Sequence, residues 1–113
     1  PEVFVGWSGS SLAALDEARR RGALTVLERG SAHIEAQAQL LADAYRAAGL
    51  KPLLPPPSIV ARELAEYQRA DLIAVPSAFV AETFLARGFR PERLLINPYG
   101  VDLERFRPAP ELA

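Results

Sequence analysis

The feature that most constrains this chain is a set of four short apolar runs that do not alternate with polar residues. They are Val3-Phe4-Val5, Leu24-Thr25-Val26-Leu27, Leu72-Ile73-Ala74-Val75 and Leu94-Leu95-Ile96. A strand with one face in water alternates apolar and polar residues, whereas a strand buried on both faces reads as a continuous apolar run. The runs therefore predict the strands of a parallel sheet.

Helix-forming segments separate these runs. Helices are predicted over residues 11–21, 31–49, 58–69 and 77–88, and the last three begin at serines that are predicted N-caps: Ser31, Ser58 and Ser77. The resulting order is β-α-β-α-α-β-α-β. It predicts an α/β protein with a Rossmann-like parallel sheet of about four strands, connected by right-handed crossovers.

The spacing of apolar residues predicts the inner face of each helix. These faces are Leu12, Leu15 and Ala18; Ile34, Ala38, Leu41, Tyr45 and Ala48; Val60, Leu64 and Tyr67; and Val80 and Phe84. Pairs at i,i+4 predict salt bridges Asp16–Arg20 and Glu17–Arg21. Crossovers that step one way across a sheet place their helices on one face. We therefore expect the other face to be bare and the first strand to present an open edge.

Composition excludes several classes of function. The 113 residues are 50% hydrophobic and 24% charged, with a net charge of −1. This suits one globular domain and gives no general attraction to nucleic acid. No apolar run approaches the ~20 residues of a membrane span. Absence of cysteine excludes disulfides and thiolate metal sites and fits a reducing cytosol.

Residue usage also bears on origin. Lys51 is the only lysine among 13 basic residues, and alanine and leucine are abundant, as in GC-rich bacterial genes. The chain has no methionine and begins at Pro1, directly before an apolar run. We therefore expect an upstream segment in the parent protein.

The most specific residues lie toward the carboxyl end. Ala70 to Ser77 reads A-D-L-I-A-V-P-S, and Pro91 to Pro108 reads P-E-R-L-L-I-N-P-Y-G-V-D-L-E-R-F-R-P. This pattern resembles family 4 glycosyltransferases of the GT-B fold, in which Gly-Val-Asp-x-x-x-Phe-x-Pro leads into the C-terminal domain. The segment Glu28 to Ile34 is similar to a subgroup of that family. The resemblance covers essentially all 113 residues.

The resemblance implies part of a retaining, metal-independent enzyme that moves a sugar from a nucleotide-sugar donor to a sugar or lipid-linked acceptor, without a cofactor. Residues 1–98 would be the later half of the N-terminal, acceptor-side domain. Residues 99–113 would be the hinge toward an absent donor-binding domain. The chain alone is expected to be inactive, and the parent enzyme to be cytoplasmic or peripheral at the inner face of the membrane.

In open parallel sheets, ligands bind at the carboxyl ends of the strands. The candidate cleft residues there are Gly6, Trp7, Ser8, Glu28, Arg29, Gly30, Ser31, His33 and Ser77, and the candidate hinge residues are Tyr99, Gly100, Val101 and Asp102. No catalytic residue can be assigned, because the sequence contains no nucleophile–base pair, metal cluster, Walker loop or GxGxxG fingerprint.

Alternatives stay open at these positions. Ser31 and Ser77 either help bind an anion at a helix N-terminus or are plain N-caps. Arg29 either clamps a phosphate or carboxylate or forms an internal Glu–Arg ion pair. His33 lies either in the cleft or in a surface or capping position. Trp7 either stacks on a sugar or lipid or packs partly buried.

The hinge residues carry two structural expectations. Gly100 could permit a positive φ or a close backbone approach, and Asp102 could cap the following turn. A competing interpretation of the whole chain is a non-catalytic, flavodoxin-like ligand-binding or self-assembling α/β fragment. In that case a symmetric homodimer could cover the bare sheet face.

Overall fold

The computed structural model describes residues 2–112. Within them, the strands are β1 (Val3–Trp7), β2 (Leu24–Glu28), β3 (Leu72–Val75) and β4 (Leu94–Ile96). The α-helices are α1 (Leu12–Arg20), α2 (Ile34–Ala47), α3 (Pro57–Arg69) and α4 (Ala78–Leu85). Short 3₁₀ turns span Pro91–Arg93 and Pro110–Leu112.

The four strands form one sheet in the order β1-β2-β3-β4, and every neighbouring pair is parallel. The predicted α/β class and parallel Rossmann-like sheet are therefore confirmed. Among the described residues, β1 and β4 are the two edge strands, and each pairs on one side only.

One face of the sheet builds the hydrophobic core. Leu27, Ile73 and Val75 are buried there, with Phe4 and Leu94 packed beside them. Each of the four helices adds buried side chains to the same cluster, including Leu15, Ile34, Tyr67 and Phe84. Since one cluster holds side chains from all four helices and from alternate strand positions, the helices cover a single face of the sheet.

The opposite face, which we call the open face, is bare. It consists of Val3, Val5, Trp7, Leu24, Val26, Glu28, Leu72, Ala74 and Leu95, which lie side by side in the strand register. Five of these large apolar side chains, Val3, Val5, Trp7, Leu24 and Leu95, are 45–57% exposed. The bare face expected from the order of elements is thus present.

Two predicted N-caps are wrong. The N-cap of α2 is His33 rather than Ser31, because its Nδ1 accepts a hydrogen bond from the Glu35 N–H at 3.1 Å. The third helix, α3, begins at Pro57 instead of after Ser58, and proline at the first helical position is pre-organised by its fixed φ. Ser77 is the N-cap of α4, as predicted, and accepts from the Val80 N–H at 3.2 Å.

The surface charges of α1 agree only partly with the prediction. Arg21 pairs with Glu17 at 2.8 Å, as expected. Asp16 does not pair with Arg20, because it reaches Arg69 of α3 at 3.1 Å, while Arg20 turns to Glu17. A contact between helices has replaced the local pair.

The predicted stripe of α2 is buried only near its start. Ile34 is buried, but Leu41 and Ala48 are exposed. Ala36 and Ala42 are the other buried residues of this helix. Because α2 packs mainly against α3 at the margin of the fold, its outer turns do not meet the sheet.

Residues 97–112 leave the sheet after β4. The Asn97 N–H donates to the carbonyl of Val75 at 2.8 Å, and the chain then continues without joining a strand or α-helix. The radius of gyration is 17.1 Å, compared with roughly 13 Å for a compact domain of this length. The molecule is therefore more extended than a self-contained domain.

Candidate functional site

The candidate site lies at the carboxyl ends of β1 and β2. The loop after β1 turns at Gly9, where φ is +98°, and enters α1 through Ser11. Ser11 is buried, and its hydroxyl donates to the carbonyl of Trp7 at 2.6 Å. Gly6 leaves room for Ser11, because a Cβ at position 6 would lie 3.0 Å from the Ser11 Cβ. Gly6 is thus a packing position.

Glu66 of α3 binds the loop that leads into α1. Its two carboxylate oxygens accept hydrogen bonds from the N–H groups of Gly9 and Ser11, each at 2.6 Å. The carboxylate is fully buried. A negative group is favourable at this position because the first N–H groups of a helix lack intrahelical partners and carry partial positive charge. An internal carboxylate therefore lies next to the N-terminus of α1 and binds loop N–H groups that precede Leu12, the first helical residue.

Arg29 is buried in an ion pair with Glu63 of α3, with 2.9 Å between Nη1 and Oε1. The other guanidinium nitrogens are also used: Nε donates to the Ala32 carbonyl at 2.9 Å and Nη2 to Gln37 Oε1 at 2.6 Å. Of the two alternatives for Arg29, the geometry is that of an internal ion pair. Its partner comes from α3 and is not the neighbouring Glu28.

Glu63 also connects the loop after β1. Its Oε1 accepts from the Ser8 hydroxyl at 3.3 Å, and the same hydroxyl lies 3.4 Å from Arg29 Nη1. Its Oε2 is buried and accepts no hydrogen bond from the residues that the structure describes. Ser8, Arg29 and Glu63 thus form one polar cluster that ties both loops to α3.

His33 faces the core and not a cleft. It is buried, and its ring lies 4.9–6.0 Å from the rings of Tyr67, Phe84 and Phe89. Burial, reinforced by the positive charges of Arg87 and Arg29, lowers the pKa of His33 to about 4. The imidazole is therefore neutral at pH 7 and serves as a buried cap of α2.

Protein groups also occupy the N-terminus of α2. The Ile34 N–H donates to the Tyr67 hydroxyl at 3.2 Å, and the Glu35 N–H donates to His33. Burial raises the pKa of Tyr67 to about 12, which keeps this hydroxyl protonated. Ser31 is exposed, and its hydroxyl donates to Gln37 Oε1 at 3.2 Å.

The exposed part of the site is an aromatic rim formed by Trp7 and Tyr99 around Gly30. A Cβ at position 30 would lie 2.8 Å from the Tyr99 hydroxyl and 3.8 Å from a ring carbon of Trp7. Both aromatic side chains are more than half exposed, so Trp7 does not have the partly buried packing position. Glu28 lies beside Trp7 in the strand register, on the same face.

The hinge candidates differ in what the structure shows. Asp102 caps the turn after it, because its Oδ1 accepts from the N–H groups of Glu104 and Arg105 at 3.0 and 3.2 Å. Gly100 has neither a positive φ nor a heavy atom near the position of a Cβ, so both expectations for it are wrong. Val101 is exposed.

The sequence analysis missed Glu63 and Glu66, which carry most of the polar contacts at this site. Both lie on the inner side of α3, near the predicted apolar stripe of Val60, Leu64 and Tyr67. A charged residue on a helix face that packs inward indicates a buried partner. That signal could have identified Glu63, which is adjacent to Leu64 and three residues after Val60.

Two further features are absent from the described part of the chain. Residues 2–112 contain no group of three histidine, aspartate or glutamate side chains placed to hold a metal ion. No helix among them is both long and apolar enough to cross a membrane.

The fold and the site together define a Rossmann-like α/β protein in which buried charges lock the loops at the carboxyl ends of the strands. Comparisons with protein-family models, curated proteins and solved structures found no match.

Proposed function

We propose that the chain is the acceptor-side part of a retaining, metal-independent glycosyltransferase that resembles family 4, with residues 99–113 as its hinge. The observation that carries the proposal is the segment after β4, which bears the Gly100-Val101-Asp102 motif. Its large apolar side chains, Tyr99, Val101, Leu103 and Phe106, are 62–72% exposed. A covering domain would remove this apolar surface from water, as expected for a segment between two domains.

The aromatic rim supports a role on the acceptor side. Trp7 and Tyr99 present exposed rings, which can pack against the apolar face of a sugar, and Tyr99 adds a hydroxyl. The carboxylate of Glu28 can accept hydrogen bonds from sugar hydroxyls. We therefore assign acceptor contact to Trp7, Glu28, Gly30 and Tyr99, and structural roles to Arg29 and His33.

Internal hydrogen bonds near two helix starts support the absence of donor binding in this chain. Glu66 binds the N–H groups of Gly9 and Ser11 just before α1, and Tyr67 and His33 bind the first N–H groups of α2. The positive charge of Arg29 is already paired with the carboxylate of Glu63. Since these groups leave little to hold a diphosphate, the nucleotide sugar would bind in another domain of a bacterial, cytoplasmic parent enzyme.

The first test is calorimetry of this chain with a panel of nucleotide sugars. We expect no heat of binding, because the phosphate-binding groups are already occupied. A tight complex with any donor would contradict the assignment of donor binding to another domain.

The second test uses the parent protein in a sugar-transfer assay. Trp7→Ala should raise the KM for the acceptor about tenfold or more, since one aromatic contact is worth about 1–2 kcal/mol. The Kd of the donor should stay unchanged. Leu40→Ala is the control, because Leu40 is about half exposed but lies in the middle of α2 and not at the carboxyl ends of the strands. An equal effect of both substitutions, or no sugar transfer at all, would reject the proposal.

A further inference from the structure

The open face is covered by no helix among residues 2–112. Its well-exposed apolar side chains lie on β1, β2 and β4, from Val3 and Val5 at one edge to Leu95 at the other, while Ala74 of β3 between them is buried. Glu28 is the one charged member of this face. At its carboxyl end the patch continues into Trp7 and, across Gly30, into the exposed ring of Tyr99.

The size of this patch is close to what a weak dimer needs. The five large side chains of the open face together with Tyr99 are 45–65% exposed, and if each has on the order of 170 Å² of surface, the patch offers roughly 500 Å². Two copies would bury about 1,000 Å², which is the lower end of specific interfaces. From this match we infer that two copies of the chain stack open face against open face as a symmetric dimer.

Charge selects one of two symmetric arrangements. A two-fold axis in the plane between the sheets can run along the strands or across them. An axis along the strands would bring the two Glu28 carboxylates to the same end of a poorly hydrated interface, where like charges repel. An axis across the strands separates them, so that each Glu28, the last residue of β2, lies at the edge of the interface in contact with water, and each Trp7 lies over the partner's Val3 and Leu24 end. The dimer is therefore antiparallel, with the two sheets about 10 Å apart.

An alternative mode of association is edge-to-edge pairing of β1 with a second β1. That mode would use the free backbone edge of β1 and leave the open face in water. Trp7 would stay exposed, and substitutions that add charge to the face would have little effect. The two modes therefore differ in a measurable way.

The native chain supplies its own reporter, because Trp7 is the only tryptophan and lies on the open face. Light scattering and Trp emission would be measured from roughly 1 to 500 μM, the range that covers a micromolar dissociation constant. We expect a monomer-to-dimer transition with a blue shift of the emission over the same range. A monomer throughout, a dimer without a blue shift, or large aggregates without a defined dimer would overturn the inference.

Two face variants and one control locate the interface. Val5→Lys on β1 and Leu95→Lys on β4 each place an unpaired charge in the interface, twice per dimer, and should weaken association about 100-fold. Both side chains are half exposed in the monomer, so circular dichroism should show an unchanged fold. Leu53→Lys is the control, because Leu53 is 76% exposed in the linker between α2 and α3.

The variants distinguish the open face from other surfaces. Dimerisation that survives both face variants, or that Leu53→Lys reduces equally, would show that another surface holds the copies together. The inference concerns this chain as a separate polypeptide, so it does not depend on the proposed sugar transfer.

Discussion

Single residues at the carboxyl ends of β1 and β2 show why this site differs from an anion site. Glu66 accepts hydrogen bonds from the N–H groups of Gly9 and Ser11, just before α1, and is completely buried. Both of its hydrogen bonds join an ionised acceptor to backbone donors, which makes them stronger than neutral ones. The same carboxylate therefore stabilises the loop after β1 and excludes an external anion from it.

Replacing Glu66 should reveal both roles. Glu66→Ala is expected to lower the free energy of unfolding by about 2–4 kcal/mol, because two buried N–H groups lose their acceptor. Urea denaturation measures this loss. Glu92→Ala is the control, since Glu92 is exposed in a 3₁₀ turn, and should change stability by less than about 0.5 kcal/mol.

Added sulfate tests whether Glu66 keeps anions away from the N–H groups that it binds, because a general loss of packing would not make the variant respond to sulfate. Added sulfate should stabilise Glu66→Ala more than the native protein, because the uncovered N–H groups can then bind an anion. Equal stabilisation of both proteins would show that the N-terminus of α1 does not become an anion site.

His33 should give stability a defined pH dependence. Its pKa is about 4 in the folded state and near 6.5 in the unfolded state, so between these values only the unfolded chain binds the proton. The stabilisation is complete above pH 6.5 and is lost as the pH falls toward 4. The loss should be on the order of 3 kcal/mol.

This pH dependence can be measured directly, because His33 is the only histidine. Its single imidazole resonance should titrate near pH 4 in the folded protein. His33→Asn keeps a side chain that can cap α2 but cannot titrate here. The variant should lose less stability than the native protein between pH 6.5 and 4.5. A native resonance that titrates at pH 6 or above would contradict the buried position.

At the scale of elements, α3 holds the site together. It contributes Glu63 and Glu66 to the loops after β1 and β2, and its Tyr67 hydroxyl contacts the start of α2. Arg93 in the turn before β4 donates to carbonyls at the end of α3, including that of Ala70 at 2.8 Å. One helix therefore links loops from both ends of the sheet.

A double-mutant cycle tests the ion pair at the centre of this arrangement. Arg29→Met should cost about 3–5 kcal/mol, because it leaves the Glu63 carboxylate buried without a cation. Arg29→Met with Glu63→Leu should cost less than Arg29→Met alone, since both buried charges are gone. Arg69 and Asp16 are the control pair, because they join α3 to α1 at the surface and should couple by less than about 1 kcal/mol. Similar coupling in both pairs would contradict the role of burial.

Element boundaries show what the sequence could and could not predict. The third and fourth strands were predicted with the observed bounds, because their apolar runs end where pairing ends. The first two strands extend further, to Trp7 and Glu28, since the register of β1 with β2 continues past the apolar residues. The strands were predicted from apolar runs, which mark buried positions. Trp7 and Glu28 lie on the open face, so the apolar runs did not include them.

Site residues were harder to predict, because their partners are distant in sequence. Arg29 was identified, but its partner Glu63 is 34 positions away, and no local spacing connects the two. Ser31 seemed the natural cap of α2, yet the helix starts at Ile34, where the Tyr67 hydroxyl accepts its N–H. Contacts between residues distant in sequence therefore determine both the partner of Arg29 and the start of α2.

Residues 99–113 should be dispensable for folding. Ending the chain after Pro98 keeps the Asn97 hydrogen bond to Val75 and removes side chains that are mostly exposed. The melting temperature should therefore fall by no more than about 2 °C, which corresponds to about 0.5 kcal/mol. Calorimetry measures the change. A loss above 10 °C would mean that residues 99–113 belong to the core.

At the scale of the whole molecule, the helices cover one face of the sheet, and apolar side chains on the other face are exposed to water. Strands with continuous apolar residues suit burial on both faces, yet the helices cover one of them. The extended segment after β4 adds further apolar surface. Whether by another domain or by a second copy, covering this surface should stabilise the fold.

Stability should therefore depend on protein concentration. If the folded chain dimerises and the unfolded chain does not, mass action raises the melting temperature as concentration rises. Each tenfold increase above the dissociation constant adds about 0.7 kcal/mol per chain, or roughly 3 °C for a domain of this size. Scanning calorimetry of the native chain should show this slope, and Val5→Lys should show almost none, because its charge blocks the open face. A native melting temperature that does not vary over two decades of concentration would mean that the bare sheet face is stable in water.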